Sequence, residues 1–260
     1  MIAPRVTLST DFGALYPGAM RGVLAKRGID RVIDVTHELP RQDVLQGGFW
    51  LQSLLPYFPP SVHCVVVDPG VGSDRGVLAI RAGGHVLIGP DNGVMWPVAE
   101  VLSGTGMIET FAFEHVDPDS ATFHGRDVFA PLAAAVAHLG IDEFHRLPTI
   151  SKADTPNKLT LPSPQHRAEE VLVTALAIDG FGNVITNLPA TSLSIGPGDT
   201  VEVGGVTVPY EETYGSVEPG APLLTVGSHG YVELAVNQGR GDDHFDVEPG
   251  VERTIKWATQ

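Results

Sequence analysis

Three aspartates each follow an apolar, β-branched segment of the sequence. They are Asp11, Asp68 and Asp91, after residues 6–9, 62–67 and 86–88. Ligands of α/β proteins bind at the carboxyl ends of the strands, so we expect these loops to line one rim. An aspartate beside Gly or Pro also forms turns and helix caps, and we favour that role for Asp91. For Asp68, on which a fully apolar strand ends, we favour a functional role.

His124 is a candidate for proton transfer. It stands in the segment Thr-Phe-His-Gly-Arg-Asp, residues 122–127, just ahead of a helical pattern. Imidazole titrates near neutral pH, and a positioned acid or base contributes about 10²- to 10⁴-fold to a rate. A histidine that bonds to the backbone at a helix start fits the same position. The residues alone leave both interpretations open.

A metal site is a further interpretation of these acidic loops. Asp11, Asp68, Asp91 and His124 could form an oxygen-rich site, but the chain has no His-x-x-x-His, Cys-x-x-Cys or closely spaced carboxylates. We therefore expect no metal. In the second half, residues 179–183 and 227–231 are typical of hairpin turns and by themselves indicate no substrate.

The elements that must position these groups alternate from Arg5 to about Gly140. The predicted strands are residues 6–9, 32–35, 62–67, 77–80 and 86–88. Apolar residues spaced by three and four predict helices over residues 18–26, 42–55, 92–102 and 126–139. This alternation indicates an α/β layered domain, assigned to residues 1–147.

A change of composition marks the end of that domain. Residues 148–168 are rich in Pro, Ser, Thr, Lys and Asn, which predicts a linker. Short β-rich segments separated by glycine turns then predict a small, mostly antiparallel β-barrel or sandwich over residues 169–260. Its strands are expected at 171–178, 184–186, 200–203, 206–208, 222–226 and 231–236.

Charge and composition exclude several classes. The net charge is -15 with only 16 Lys and Arg, which argues against a nucleic-acid partner. Cys64 is the single cysteine, so no intrachain disulfide forms, and its apolar strand predicts a buried thiol. The sequence shows no signal peptide and no apolar run of about 18 residues. We expect no membrane contact and a cytoplasmic location.

Six ordered motifs resemble the S-adenosyl-L-methionine hydroxide adenosyltransferase family, relatives of fluorinating and chlorinating enzymes. The motifs are residues 9–13, 33–37, 67–72, 89–93, 123–127 and 179–183. The resemblance implies an N-terminal α/β sandwich-type domain, a C-terminal β-barrel, and a homotrimer with substrate between one subunit's first domain and its neighbour's second. It also implies hydrolysis of S-adenosyl-L-methionine to adenosine and L-methionine, without a cofactor.

The resemblance also implies roles for individual residues. The trio that activates water falls on Asp68, Arg75 and His124. The remaining implied contacts are Asp11 to the ribose hydroxyls, Asn183 to adenine, Phe181 and Tyr214 as aromatic walls, and Asp179 and Ser228 to the methionine end.

Two departures from the family pattern affect the methionine end. Residues 14–18 lack the usual acidic residue, and His229 stands where the fluorinating relatives carry arginine. Alternatives are a halogenase that uses the same substrate, a non-catalytic nucleoside or S-adenosyl-L-methionine binding protein, and a metal-dependent hydrolase. The halogenating relatives resemble this chain less at Asp68, where they carry tyrosine, and at His124, which they lack.

Overall fold

The computed structural model describes residues 5–114, 118–167 and 169–257. The chain forms two compact units, Met1–Thr160 and Leu161–Gln260. The division between the units falls inside the segment predicted as a linker. Among the described residues, no helix has the length and apolar character needed to cross a membrane.

The first unit contains a seven-stranded mixed sheet. Its strands are β1 (Val6–Thr10), β2 (Val32–Thr36), β3 (Val62–Val66), β4 (Val77–Ala82), β5 (His85–Pro90), β6 (Glu109–Phe113) and β7 (Ile150–Lys152), in the order β2-β1-β3-β5-β4-β6-β7. Strands β2, β1, β3 and β5 are parallel, whereas β4 pairs antiparallel with β5 and β6. The carboxyl ends of the parallel strands therefore meet at one edge.

Helices cover both faces of this sheet. The helices are α1 (Pro17–Lys26), α2 (Val44–Leu54), α3 (Trp96–Ser103) and α4 (Ala130–Leu139), the last preceded by a π-helical turn at Gly125–Phe129. Cys64 and Val66 of β3 pack with α1 and α4, and Val65 and Val67 pack with α2 and α3. This alternation follows from the period of two along a strand. The predicted α/β sandwich is confirmed.

Three details of the first unit differ from the sequence prediction. Strand β6 was not predicted at all. Helix α3 begins at Trp96, not at residue 92, because Gly93 adopts φ +93° and Asn92 bonds to the backbone of Val67 and Val94. Strand β7 lies within the predicted linker, where Ile150 pairs with β6. The buried Cys64 is as predicted, and burial raises the pKa of its thiol to about 12.

The second unit is a β structure that nearly closes on itself. Its strands are β8 (Gln165–His166), β9 (Glu170–Ile178), β10 (Val184–Pro189), β11 (Thr200–Val203), β12 (Val206–Pro209), β13 (Pro222–Val226), β14 (Tyr231–Val236) and β15 (Glu252–Trp257), and a short helix α5 spans Gly241–Phe245. The order is β12-β11-β15-β9-β10-β14-β13, with β8 beside β9. A bridge from Tyr210 to Leu224 connects the two ends, which confirms the predicted barrel.

Candidate active site

A cavity of about 430 Å³ opens at the carboxyl edge of the first unit's sheet. Its lining comes from the loop after β1, the end of β3 with the loop that follows, and the segment leading into the π-helical turn. The lining residues are Phe12, Tyr16, Val66, Asp68, Val71, Ser120, Thr122, Phe123, His124, Gly125 and Arg126. Asp68 and His124, separated by 56 positions in the chain, therefore face one hollow.

Arg75 links the two cavity residues. Its Nε donates to both oxygens of Asp68, at 2.9 and 3.0 Å, and its Nη2 bonds to Oδ2 of the same carboxylate. The same Nη2 lies 2.8 Å from Nδ1 of His124. The guanidinium carbon lies 5.0 Å from the ring centre of Phe129 in the π-helical turn. The structure thus brings together the three residues that the resemblance assigns to water activation.

The contact with Arg75 sets the tautomer of His124. A guanidinium only donates hydrogen bonds, so Nδ1 of His124 accepts and the ring proton lies on Nε2. Burial lowers the pKa of His124, and the charge of Arg75 lowers it further. His124 is therefore a neutral imidazole at neutral pH. Within the described part of the chain, its Nε2 has no hydrogen-bond partner, which leaves that N–H available as a donor.

Asp11 lies close to this site on the loop after β1. Its Oδ2 accepts the backbone N–H of Gln42 at 2.8 Å, and Gln42 adopts the left-handed φ of +58°. Burial raises the pKa of Asp11, the Gln42 hydrogen bond opposes that shift, and the charge of Asp68 adds to it. Asp11 and Asp68 are thus near enough to interact electrostatically.

Asp91 bonds to another part of the chain. Its Oδ1 accepts the N–H of Asn157 at 2.8 Å, and the Asn157 amide donates to the Asp91 carbonyl. The role is structural, as favoured, but it is not the helix cap that the sequence suggested, because α3 begins after Met95 and the Asp91 side chain bonds to a distant segment. Within the ranges that the structure describes, no group of three or more His, Cys, Asp or Glu side chains could hold a metal ion. The absence of a metal stays a prediction.

The aromatic wall of the cavity was not predicted from the sequence. Phe12, Tyr16 and Phe123 meet edge to face, with ring centres 5.4–6.4 Å apart. The guanidinium of Arg126 lies over Phe123 at 5.1 Å and is paired with Asp127. Phe12 and Phe123 stand inside two of the quoted motifs, which was the available signal.

In the second unit, Asp179 organises its own turn. Its Oδ1 accepts the backbone N–H groups of Phe181 and Asn183, both at 2.9 Å. Its Oδ2 accepts Nδ2 of the Asn183 side chain at 2.9 Å. Gly182 supplies the positive φ of +88° that the turn requires. The contact of Asp179 with a methionine group stays a prediction.

A buried acid connects two further residues of this unit. Glu233 of β14 is 3% exposed, and it accepts the Tyr214 hydroxyl at 2.6 Å on one oxygen and Nε2 of His229 at 2.9 Å on the other. Burial raises the pKa of Tyr214, and its bond to Glu233 adds to the effect, so this hydroxyl keeps its proton. Sequence reasoning missed Glu233, whose only signal is a charged residue between the apolar Val232 and Leu234.

Comparison with known proteins identifies the family. The profile of the SAM hydroxide adenosyltransferase N-terminal domain matches residues 6–145, and that of the C-terminal domain matches residues 173–254. The chain belongs to the SAM hydroxide adenosyltransferase family. This confirms the resemblance drawn from the six motifs.

Relatives within this family match nearly the whole chain. A protein of Salinispora tropica named (R)-S-adenosyl-L-methionine hydrolase is 39% identical, over 95% of both chains. A protein of Salinispora arenicola with the same name is 40% identical, also over 95% of both chains. A crystal structure of an uncharacterized conserved protein from Thermotoga maritima superposes with a TM-score of 0.83 at 30% identity, covering 96% of this chain and 99% of that one.

A fluorinase is more distant than these family members. The fluorinase of an Actinoplanes species is 24% identical over 86% of this chain and 87% of its own.

The structure shows what the residues at the two departures from the family pattern contact. Tyr16, on the loop that lacks the usual acidic residue, places an aromatic ring on the cavity wall. His229 bonds to Glu233 inside its own unit.

Two predicted contacts lie at the surface of the second unit. Phe181 is 79% exposed at the tip of the Asp179 turn. Ser228 is exposed beside His229 in the turn that precedes β14. The structure joins Asp179, Asn183 and Tyr214 through hydrogen bonds, and the ligand contacts of all five residues stay predictions.

Proposed function

We propose that this protein hydrolyses S-adenosyl-L-methionine to adenosine and L-methionine. The observation that supports it most is the contact of Arg75 with both Asp68 and His124, two residues that line one cavity. Family membership and the names of the Salinispora relatives support the same reaction. Those names specify the R configuration, so we propose the R epimer at sulfur as the preferred substrate.

In the proposed mechanism, Asp68 and His124 hold the attacking water. Each Asp68 oxygen has acceptor capacity left beside its bonds to Arg75, so the carboxylate can accept a water proton. The Nε2–H of His124 donates to the water oxygen and fixes its position. Arg75 keeps both side chains oriented. Holding the water and the ribose 5′ carbon close together in the correct orientation supplies much of the reduction in the reaction barrier.

The displacement balances without an added reagent. The water oxygen forms a bond to the ribose 5′ carbon as the bond from that carbon to sulfur breaks. The bonding electron pair stays on sulfur, so methionine leaves as a neutral thioether, and the water proton passes to Asp68 and then to solvent. Because the sulfonium is already an activated leaving group, we propose that no metal or other cofactor takes part.

The substrate contacts belong to the same proposal. We assign the ribose hydroxyls to Asp11, whose carboxylate has acceptor capacity left beside its bond to Gln42. Asn183 is assigned to the base and Tyr214 and Phe181 to its faces, since aromatic rings suit a flat heterocycle. Asp179 and Ser228 are assigned to the methionine end. We also propose a homotrimer and a cytoplasmic location, which light scattering and cell fractionation would test.

Hydrolysis is tested by following adenosine chromatographically with each sulfur epimer supplied separately. We expect adenosine and methionine in equal amounts, and faster release from the R epimer. Asp68→Asn and His124→Ala should each reduce turnover by about 10² or more while the protein stays folded. Asp74→Asn is the matched control, because Asp74 is an exposed acid of the same loop. Unchanged turnover in both active-site variants would contradict the mechanism.

The same assay separates the alternatives. Formation of 5′-chloro-5′-deoxyadenosine in chloride would identify a halogenase, which the Asp68 carboxylate opposes because it repels an anion. Tight calorimetric binding without turnover would identify a binding protein. Activity lost with a chelator and restored by a divalent ion would identify a metal-dependent hydrolase, whereas we expect the rate to be unaffected by chelation.

A further inference from the structure

Four side chains of the second unit form one hydrogen-bonded series with an acid at each end. The series runs Asp179, Asn183, Tyr214, Glu233. Asn183 Nδ2 donates to the Asp179 carboxylate at 2.9 Å and to the Tyr214 hydroxyl oxygen at 3.4 Å. The Tyr214 hydroxyl in turn donates to Glu233 at 2.6 Å. Because ionised carboxylates only accept, the two acids set the direction of every bond between them.

Glu233 is held rigidly at its end of the series. Its side chain is 4% exposed, and its second oxygen accepts from Nε2 of His229 at 2.9 Å. Nδ1 of that ring accepts the backbone N–H of Tyr231, which places the ring proton on Nε2. A methyl group at Gly227 would collide with both the Glu233 carboxylate and the His229 ring. The carboxylate therefore has little freedom to turn away from Tyr214.

The Asn183 amide has a fixed orientation as a result. The residue is 5% exposed, and both hydrogens of Nδ2 point to acceptors inside the unit. Its Oδ1 accepts no hydrogen bond from any residue within the described ranges. A nearly buried amide whose oxygen is left unpaired is prepared to receive a donor from a ligand.

We propose that Asp179 and Glu233 are positioning residues that present the Asn183 carbonyl oxygen to the ligand, which makes the second unit selective for a 6-aminopurine over a 6-oxopurine. This inference rests on the proposed function, in which Asn183 contacts the base. A 6-amino group donates to the carbonyl, whereas a 6-oxo group would place two acceptors against each other. One lost hydrogen bond with an unpaired buried group corresponds to about tenfold or more in affinity.

Nucleoside binding to the intact protein tests the selectivity without any turnover. We expect calorimetry to show that adenosine binds at least about tenfold more tightly than inosine. Equal affinities would overturn the inference and leave hydrolysis, measured separately with S-adenosyl-L-methionine, unaffected. Binding of neither nucleoside would overturn both the inference and the nucleoside site of the proposed function.

The Glu233→Gln variant tests the role of the buried acid. A glutamine amide cannot accept from Tyr214 and His229 together, so one bond is lost and the Tyr214 proton no longer has a fixed direction. We expect the ratio of adenosine to inosine affinity to fall by several fold, whereas a loss of packing alone would weaken both nucleosides alike. Glu252→Gln is the matched control, because Glu252 is an exposed acid on strand β15, and it should keep the ratio.

A second variant covers the case in which Glu233→Gln does not fold. Tyr214→Phe keeps the ring and separates Glu233 from Asn183, so the ratio should fall in the same direction. A ratio that stays at the wild-type value in every folded variant would rule out Glu233 as a positioning residue.

Discussion

Replacing Arg75 with methionine should destabilise the first unit and strongly reduce turnover. The Asp68 side chain is 4% exposed and that of Arg75 is 11% exposed, so the variant leaves a buried carboxylate without its partner. Breaking such a pair costs about 3–5 kcal/mol of unfolding free energy. Trp50 and Trp96 lie in the first unit and Trp257 in the second, so tryptophan fluorescence in a Trp257→Phe background follows urea unfolding of the first unit. Turnover should fall by about 10² or more, since His124 also loses its orienting donor.

The matched control is Arg21→Met. Arg21 pairs with Asp34 in the same unit, but the side chains are 53% and 26% exposed, so the loss should be under about 1 kcal/mol. Adding Asp68→Asn to Arg75→Met should recover part of the stability but none of the turnover, with a coupling energy of about 0.5–3 kcal/mol. If Arg75→Met costs no more than Arg21→Met, Arg75 does not hold a buried site together.

Three further predictions concern titration and packing. Because burial lowers the pKa of His124 below its ordinary 6.5, the decline of kcat on the acid side should have its midpoint below pH 6.5. A midpoint above 6.5 would contradict a neutral His124 imidazole at the working pH. His63 is fully buried between Thr7 and His85, and burial lowers its pKa to about 3. Between pH 6.5 and about 3, His63 is therefore protonated in the unfolded chain but not in the native one. As pH is lowered through this range, urea unfolding should show the free energy of unfolding decreasing by up to about 1.4 kcal/mol per pH unit. The decrease should be less steep in His63→Gln. In Gly125→Ala the new methyl would lie 2.7 Å from the Phe12 ring, so we expect the free energy of unfolding to fall by about 1–3 kcal/mol and KM to rise. Unchanged stability and unchanged KM would show that the aromatic wall is loosely packed.

The strands that the sequence predicted are those whose pattern is local. Residues 200–203, 222–226 and 231–236 were predicted with the bounds the structure has, because apolar runs between glycine turns identify them. Strand β15 was missed, because charged residues interrupt its sequence, Glu252–Trp257, and only Ile255 is fully buried. Its position between β9 and β11 depends on distant partners that no local pattern identifies.

The turn at Asp91 and Asn92 illustrates a second kind of difference. The apolar spacing from residue 92 onward is helical, so the pattern placed the helix start four residues too early. The positive φ of Gly93 and the side-chain bonds of Asn92 keep this stretch out of the helix. Such competition between a side chain and the backbone depends on the position of β3, whose neighbouring carbonyl at Val67 accepts from Asn92.

The sequence by itself determined the residue types of the site and the fold class of each half, which is α/β for the first and β for the second. Through six ordered motifs it also determined the family. Only the tertiary structure decided that Arg75 bonds to Asp68 and His124 at once, and that the proton of His124 lies on Nε2. It alone also showed that the buried Glu233 sets the hydrogen-bond direction toward Asn183. The physical reason is that propensity and hydrophobic period act over a few residues. Hydrogen-bond direction, burial and pKa depend on groups that lie tens of positions apart and meet only when the chain folds.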